Sequence, residues 1–143
     1  MQIRRYRSPD ESALIALWHA CGLVRSWNDP EKDIQRKLTV QPELFLVGTI
    51  GEMLVASVMA GFDGHRGWVN YLAVAPEHRK SGMGRALMEK VEQELKAIGC
   101  PKLNLQVRAT NPEAVAFYQR LGYELEEIVS MGKRLIRDEP ASG

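Results

Sequence analysis

Cysteine is scarce in this sequence of 143 residues: Cys21 and Cys100 are the only two. Two cysteines cannot build a disulfide framework, and the expected state is two reduced thiols. Histidine is as thinly spread. His19, His65 and His78 show no close ligand spacing with each other or with the cysteines, so no metal site is expected. An excess of one charge is also missing. Nineteen Lys and Arg face eighteen Asp and Glu, a formal net charge of +1. No global field draws the chain to a polyanion, which weighs against a dedicated nucleic-acid binder. No apolar run approaches the ~20 residues that cross a bilayer. The basic start Met1-Gln2-Ile3-Arg4-Arg5 is not followed by the apolar stretch of a secretory signal. A cytoplasmic protein without membrane association is therefore expected. Internal repeats and low-complexity linkers are absent as well.

What remains is a chain with 45% hydrophobic and 26% charged residues, enough for one well-buried core. One domain is expected over residues 1–136. The polar stretch 137–143, ending in Pro-Ala-Ser-Gly, is expected to fray. Ile3 to Tyr6 reads as a first strand. Ser8 and Pro9 signal a helix start, with Glu11 closing a capping box and Gly22 as the stop. Asp29-Pro30 signals a second helix carrying Ile34 and Leu38. Trp27, in the linker between them, suits either a lid over a pocket or a plug in the core, and the plug is favoured. Leu44–Ile50 and Met53–Phe62 read as a hairpin about Gly51-Glu52. Trp68–Val74 is a further strand, ended by Pro76. Leu87, Val91, Leu95 and Ile98 set a helix over Met83–Ile98. Leu103–Arg108 is strand-like. Asn111-Pro112 starts a last helix that closes at Gly122, and Tyr123–Ile136 can supply one or two strands. The order predicts an α/β domain: a mixed, mostly antiparallel sheet with helices on both faces.

The sharpest local signal is Arg79-Lys80-Ser81-Gly82-Met83-Gly84, set between a strand and an amphipathic helix. Glycines let successive backbone N–H groups converge, and the helix start adds unpaired N–H groups and a positive dipole end. With Arg79, Lys80 and Arg85 this makes an anion site suited to a phosphate or pyrophosphate. No Gly-Lys-Ser/Thr ending marks a nucleotide-hydrolysing loop, and no Gly-x-Gly-x-x-Gly follows the first strand. A tight turn with a solvated basic edge explains the local sequence equally well.

The pattern as a whole resembles the GCN5-related N-acetyltransferase (GNAT) superfamily. Arg79, Gly82 and Gly84 match its Arg/Gln-x-x-Gly-x-Gly/Ala loop, and Leu72-Ala73-Val74-Ala75-Pro76 matches the strand before it. Asn111, Ala114, Phe117, Tyr118, Gly122 and Tyr123 match its second signature, Asn-x-x-Ala-x-x-Phe/Leu-Tyr-x-x-x-Gly-Phe/Tyr. The segments Trp27-Asn28-Asp29-Pro30, Phe62-Asp63-Gly64-His65-Arg66-Gly67 and Gly99-Cys100-Pro101-Lys102 are similar to a small bacterial subgroup of uncharacterised acetyltransferases.

The resemblance implies the acyl-CoA N-acyltransferase fold, with the sheet splayed at its centre, and acetyl coenzyme A as co-substrate. It implies that Arg79, Lys80, Ser81, Gly82, Met83, Gly84 and Arg85 hold the pyrophosphate. Backbone groups of Leu72, Ala73 and Val74 would pair with the pantetheine arm. One N–H, of Leu72 or Ala73, would point at the thioester oxygen. Asn111, a good helix cap in its own right, would also touch the arm. Tyr118 would protonate the departing thiolate in a direct attack by a primary amine, small or on a protein. A homodimer through the last strands is a further expectation of the resemblance.

Proton removal from the amine has no such ready residue. Many members place a Glu where this chain has Trp68 and Gln106, neither a useful base. Asp63 and His65, in the turn before the fourth strand, are the candidates, His65 for its near-neutral titration. Asp29, Glu31 or a water chain are further options, and each named residue also has an ordinary role as turn or cap. The gap leaves open a coenzyme-A-binding sensor with weak catalysis or none.

Overall fold

The computed structural model describes residues 1–138. Its elements follow the hydrophobic periodicity closely. Strand β1 covers Gln2–Arg5, helix α1 Glu11–Ala20 and helix α2 Pro30–Lys37. Strands β2, β3 and β4 cover Phe45–Ile50, Met53–Phe62 and Gly67–Val74. Helix α3 spans Met83–Ala97, strand β5 Leu103–Leu105 and helix α4 Pro112–Arg120. The described residues form a five-stranded sheet in chain order, antiparallel from β1 to β4 and parallel between β4 and β5. Helices flank the sheet on both sides. Buried Leu87, Met88, Val91 and Leu95 turn α3 towards it, and Leu14, Leu17 and Trp18 do the same for α1.

Two sequence signals resolve differently. Ser8 and Glu11 do not cap. Ser8–Asp10 is a single 3-10 turn ahead of α1, and Asp10 accepts from the Arg7 backbone N–H at 2.8 Å. Asp10 also takes both ends of the Arg4 guanidinium, each at 2.8 Å. A bidentate partner from β1 outcompetes the short-range serine. At the chain's other end, the described residues after Arg120 form no helix or strand, although Tyr123–Ile136 reads as strand. That segment lies beside β5 through side chains, Lys102 with Glu126 and Gln106 with Ser130. A strand needs backbone partners, and the β pattern alone supplies none. Of the polar stretch 137–143, Arg137 and Asp138 are described. Asp138 is buried, its carboxylate held by Arg36 at 2.6 and 2.7 Å.

Arg4 holds the Asp10 carboxyl below its ordinary range, helped by the Arg7 N–H. A lowered folded-state pKa stabilises above the unfolded value and is lost as pH falls through the folded one. Asp10→Asn should therefore cost about 1–2 kcal/mol near neutral pH. The gap from the parent should narrow as pH falls towards about 3. Urea melts at the two pH values check this, and a gap independent of pH would refute the linkage.

Candidate active site

The centre of the sheet holds an irregularity. Met59 pairs with Asn70, yet Ser57 pairs with Ala73. Two residues of β4, Tyr71 and Leu72, thus oppose one of β3, a β-bulge. Tyr71 takes the left-handed conformation, φ 54°, which costs a non-glycine residue roughly 1–2 kcal/mol. Its surroundings hold it there. Its ring stacks on fully buried Trp18 at 3.9 Å, and Ser57 Oγ donates to its carbonyl at 3.0 Å. Trp18 Nε1 in turn donates to Ser57 Oγ at 3.0 Å.

Beyond the bulge, β4 opens on its other side. β5 pairs only with Gly67–Val69. Ala73 lies opposite Ser57, and Ala75 N–H donates to Val55 O at 2.8 Å. By alternation the backbone of Leu72 and Val74 turns away from β3, towards an edge where the described residues supply no strand. Val74 O accepts from Cys21 Sγ and Arg79 Nε, each at 3.3 Å.

The loop next to this edge has the expected curl. Lys80 (φ 62°) and Gly82 (φ 85°) both take left-handed backbone, and Gly82 precedes α3 directly. Among the described residues, no protein acceptor meets the backbone N–H groups from Lys80 to Arg85; the first helical bond runs from Ala86 N to Gly82 O. Ser81 Oγ turns back to His78 O. Arg79 and Lys80 are exposed, and Arg85 is 3.9 Å from Glu89. Met83 leans on the core instead. At Gly84 a Cβ would lie 3.0 Å from Phe117 and 3.8 Å from Val74. A glycine here lets α3 and α4 close on the open edge of β4.

That contact brings α4 to the same place. Tyr118 follows Phe117, half-buried, with its ring edge-on to Phe117 at 5.0 Å and to Tyr123 at 5.8 Å. Burial pushes the Tyr118 phenol up to about 12. Tyr123 differs: its hydroxyl donates to Glu92 at 2.6 Å. Asn111 Oδ1 caps α4 on Ala114 N–H at 3.1 Å, and its Nδ2 donors are not used by the cap.

Open strand edge, free N–H cluster and half-buried phenol are thus neighbours. The family model for acetyltransferases of the GNAT family matches residues 11–123, most of the chain. The chain belongs to the GNAT acetyltransferase family. An acetyltransferase of Yersinia pestis (strain Pestoides F) is 48% identical over 139 residues, covering 97% of this chain and 99% of that one. One of Pectobacterium atrosepticum is 48% identical over 138 residues, covering 96% and 98%. Among solved structures, the ribosomal-protein-S18-alanine N-acetyltransferase of Escherichia coli superposes with a TM-score of 0.69 at 26% identity, covering 85% of this chain and 76% of that one.

Not every GNAT candidate residue gathers at this place. Asp63 and His65 sit in the β3–β4 turn, at the far end of β4 from Val74. Seven strand steps separate Gly67 from Val74, about 23 Å at 3.3 Å each. Asp63 accepts from the His65 and Arg66 backbone N–H groups at 2.8 and 2.7 Å. Those bonds, with the Trp68 indole, hold its carboxyl below the usual range, which makes it a poor proton acceptor. Asp29 is committed as the cap of α2, accepting from Glu31 and Lys32 N–H.

Trp27 is the corrected reading: it plugs no core. It is 45% exposed, and the Arg108 guanidinium lies 5.3 Å above its ring. The pair ties the α1–α2 loop to the segment after β5, an exposed contact worth about 0.5–1 kcal/mol. The sequence also hid a polar cluster on β4. Tyr71 Oη donates to Asp33 Oδ2 at 2.6 Å, while Asn28 Nδ2 donates to Tyr71 Oη at 2.5 Å and to Asp33 Oδ2 at 3.3 Å. Desolvation and Asp33 push the Tyr71 phenol far above its usual range. Tyr71 lies 38 and 43 residues along the chain from these partners, so no local spacing could have signalled the cluster.

Proposed function

We propose that the chain transfers an acetyl group from acetyl coenzyme A to a primary amine by direct attack in a ternary complex. The observation that carries this reading is the run of unpaired backbone N–H groups from Lys80 to Arg85, set beside the open β4 edge. Such a run at a helix start suits a pyrophosphate. Arg79 and Lys80 add charge. Leu72 and Val74 offer backbone groups to an extended amide arm, and Leu72, turned outward, is the better donor towards a thioester oxygen than Ala73, which faces β3. Asn111 Nδ2 is left for the arm.

Acetyl coenzyme A supplies the activated acyl group. The residues of the chain must then manage charge and protons. The attacking nitrogen forms the new C–N bond, the C–S bond breaks, the nitrogen loses one proton and the sulfur gains one. Tyr118 is the donor for the sulfur. Burial keeps its proton in place through neutral pH. The amine's proton leaves by water or by an acceptor-side carboxylate, since Trp68 and Gln106 cannot take it. Small amines and protein amino groups both fit this chemistry.

Replacing Arg79 and Lys80 by Glu together should weaken acetyl coenzyme A binding about 10- to 100-fold, two lost attractions becoming two repulsions. Calorimetric titration reads this directly. Absence of saturable binding to the parent chain would end the proposal. Binding without thiol release across a broad panel of amines and peptides would favour the second reading, a coenzyme-A-binding sensor. The committed Asp63 and the missing carboxylates at Trp68 and Gln106 are what keep that reading alive.

A further inference from the structure

Tyr71 immediately precedes Leu72, whose backbone turns to the open edge of β4. Its left-handed backbone, φ 54°, persists only because the surroundings over-determine it, and such strain gathers at functional places. The hydroxyl is placed as firmly as the backbone. It donates its one proton to Asp33 Oδ2 at 2.6 Å and accepts from Asn28 Nδ2 at 2.5 Å. A phenol oxygen has a second lone pair, so one further donor can reach it. Asp33 is the charge left over in this cluster. Arg36 lies 3.3 Å from Asp33 Oδ1, yet it commits both guanidinium ends to buried Asp138, at 2.6 and 2.7 Å. Lys32 also acts on Asp138. Arg36 is thus shared by two carboxylates, and its closer bonds go to Asp138. The Asp33 side chain remains 24% exposed, which gives a proton taken there a way out to water.

The side-chain partners of Tyr71 come from α1, α2 and the loop between them, whereas the ring of Tyr118 packs on Phe117 of α4 and on Tyr123. The proton donor for the sulfur and the carboxylate therefore belong to different elements, and their protons are kept apart. We propose that Asp33 is the acceptor-side carboxylate of acetyl transfer and that the Tyr71 hydroxyl carries the amine's proton to it, an inference that rests on the transfer proposed above. The amine attacks in its neutral form. As its nitrogen bonds to the acetyl carbon it becomes cationic, and far more acidic than a free ammonium. The N–H bond then breaks, its electron pair staying on nitrogen. The proton passes to Tyr71 Oη while Tyr71's own proton passes to Asp33 Oδ2 along the 2.6 Å bond. Tyr71 ends as the phenol it began. Asp33 ends as a neutral acid and releases the proton to water. Tyr71 cannot do this alone, because desolvation and Asp33 disfavour its phenolate. The pair supplies the base that Trp68 and Gln106 do not.

Thiol release from acetyl coenzyme A, over a panel of alkylamines, diamines, amino-acid amides and short peptides, gives the working acceptor. With it, Asp33→Asn should lower kcat about 10²- to 10⁴-fold, while calorimetry shows acetyl coenzyme A bound as by the parent. Asparagine keeps an oxygen for the Tyr71 hydroxyl, so thermal melts should stay close to the parent's. Tyr71→Phe keeps the ring on Trp18 and should lower kcat by a similar factor. It carries the same test if Asp33→Asn folds poorly. The double variant should be no slower than the slower single, because both changes break one path. The deficit of each variant should shrink as pH rises from about 7 to about 10, where hydroxide takes the proton instead. A cluster that only anchors the α1–α2 loop gives a deficit that does not move with pH. Parent rates in Asp33→Asn would overturn the inference and leave acetyl transfer standing. A pH-independent deficit, or a double variant slowed by the product of the two single effects, overturns the relay. A parent that releases no thiol with any amine overturns the acetyl-transfer reading, and this inference with it.

Discussion

Tyr118→Phe should lower acetyl transfer about 10²- to 10⁴-fold, the range for loss of a positioned acid, while acetyl coenzyme A binds almost as before. The ring is retained, so its edge contacts with Phe117 and Tyr123 persist and the helix stays in place. On the proposed mechanism, only the proton for the leaving sulfur is lost. The pH dependence sharpens the test. Burial disfavours the phenolate, so the acid form survives to higher pH than in free tyrosine, up to about 12. Parent turnover should therefore show no alkaline decline from this group near pH ~10, where an unperturbed phenol titrates. Tyr123→Phe is the control. Its hydroxyl is engaged with Glu92 and should matter little to turnover. Equal rates for parent and Tyr118→Phe would remove Tyr118 from the chemistry.

Trp18→Ala should be the most destabilising single change, about 3–5 kcal/mol, a large share of the stability of a domain this size. Trp18 is fully buried between Phe45 and Tyr71, with ring centroids 6.5 and 3.9 Å away. Removing it empties the largest fully buried side chain. It also frees Tyr71 from the stacking that holds its left-handed backbone. The expected drop in melting temperature is on the order of 10 °C, read by calorimetry. Ser57→Ala is the milder companion. It leaves the buried Trp18 N–H without an acceptor, at about 1–3 kcal/mol. Because both changes act on the bulge before Leu72, surviving folded protein should bind acetyl coenzyme A less tightly than the parent. Unchanged affinity would show that the bulge tolerates loss of its support.

The parts that were legible share one property: their cause lies within a few residues. Asp29-Pro30 caps and starts α2 because an aspartate oxygen reaches N–H groups two and three residues on. The periodicity of Leu87, Val91 and Leu95 fixes the buried face of α3. Arg79 to Gly84 declares its curl through glycine and charge, and Asn111-Pro112 starts α4 because the Asn111 side chain reaches the Ala114 N–H. Ser8 misled because its competitor Asp10 is chosen by Arg4, on a strand that the local pattern does not connect to the helix start. Trp27 misled because its partner, Arg108, is 81 residues away.

The sequence by itself determined much of the local geometry of this protein: where α2, α3 and α4 start, which faces are apolar, and where a loop curls so that successive N–H groups stay unpaired. These depend on backbone preferences and side chains that meet within a turn or two. The tertiary structure alone decided the rest. It put the bulge at Tyr71 and joined Asn28 and Asp33 to it. It kept Asp63 and His65 at the far end of β4, and left the described residues after α4 without a strand ladder. Each is set by which distant backbone and side-chain groups satisfy one another, and no spacing along the chain records that choice.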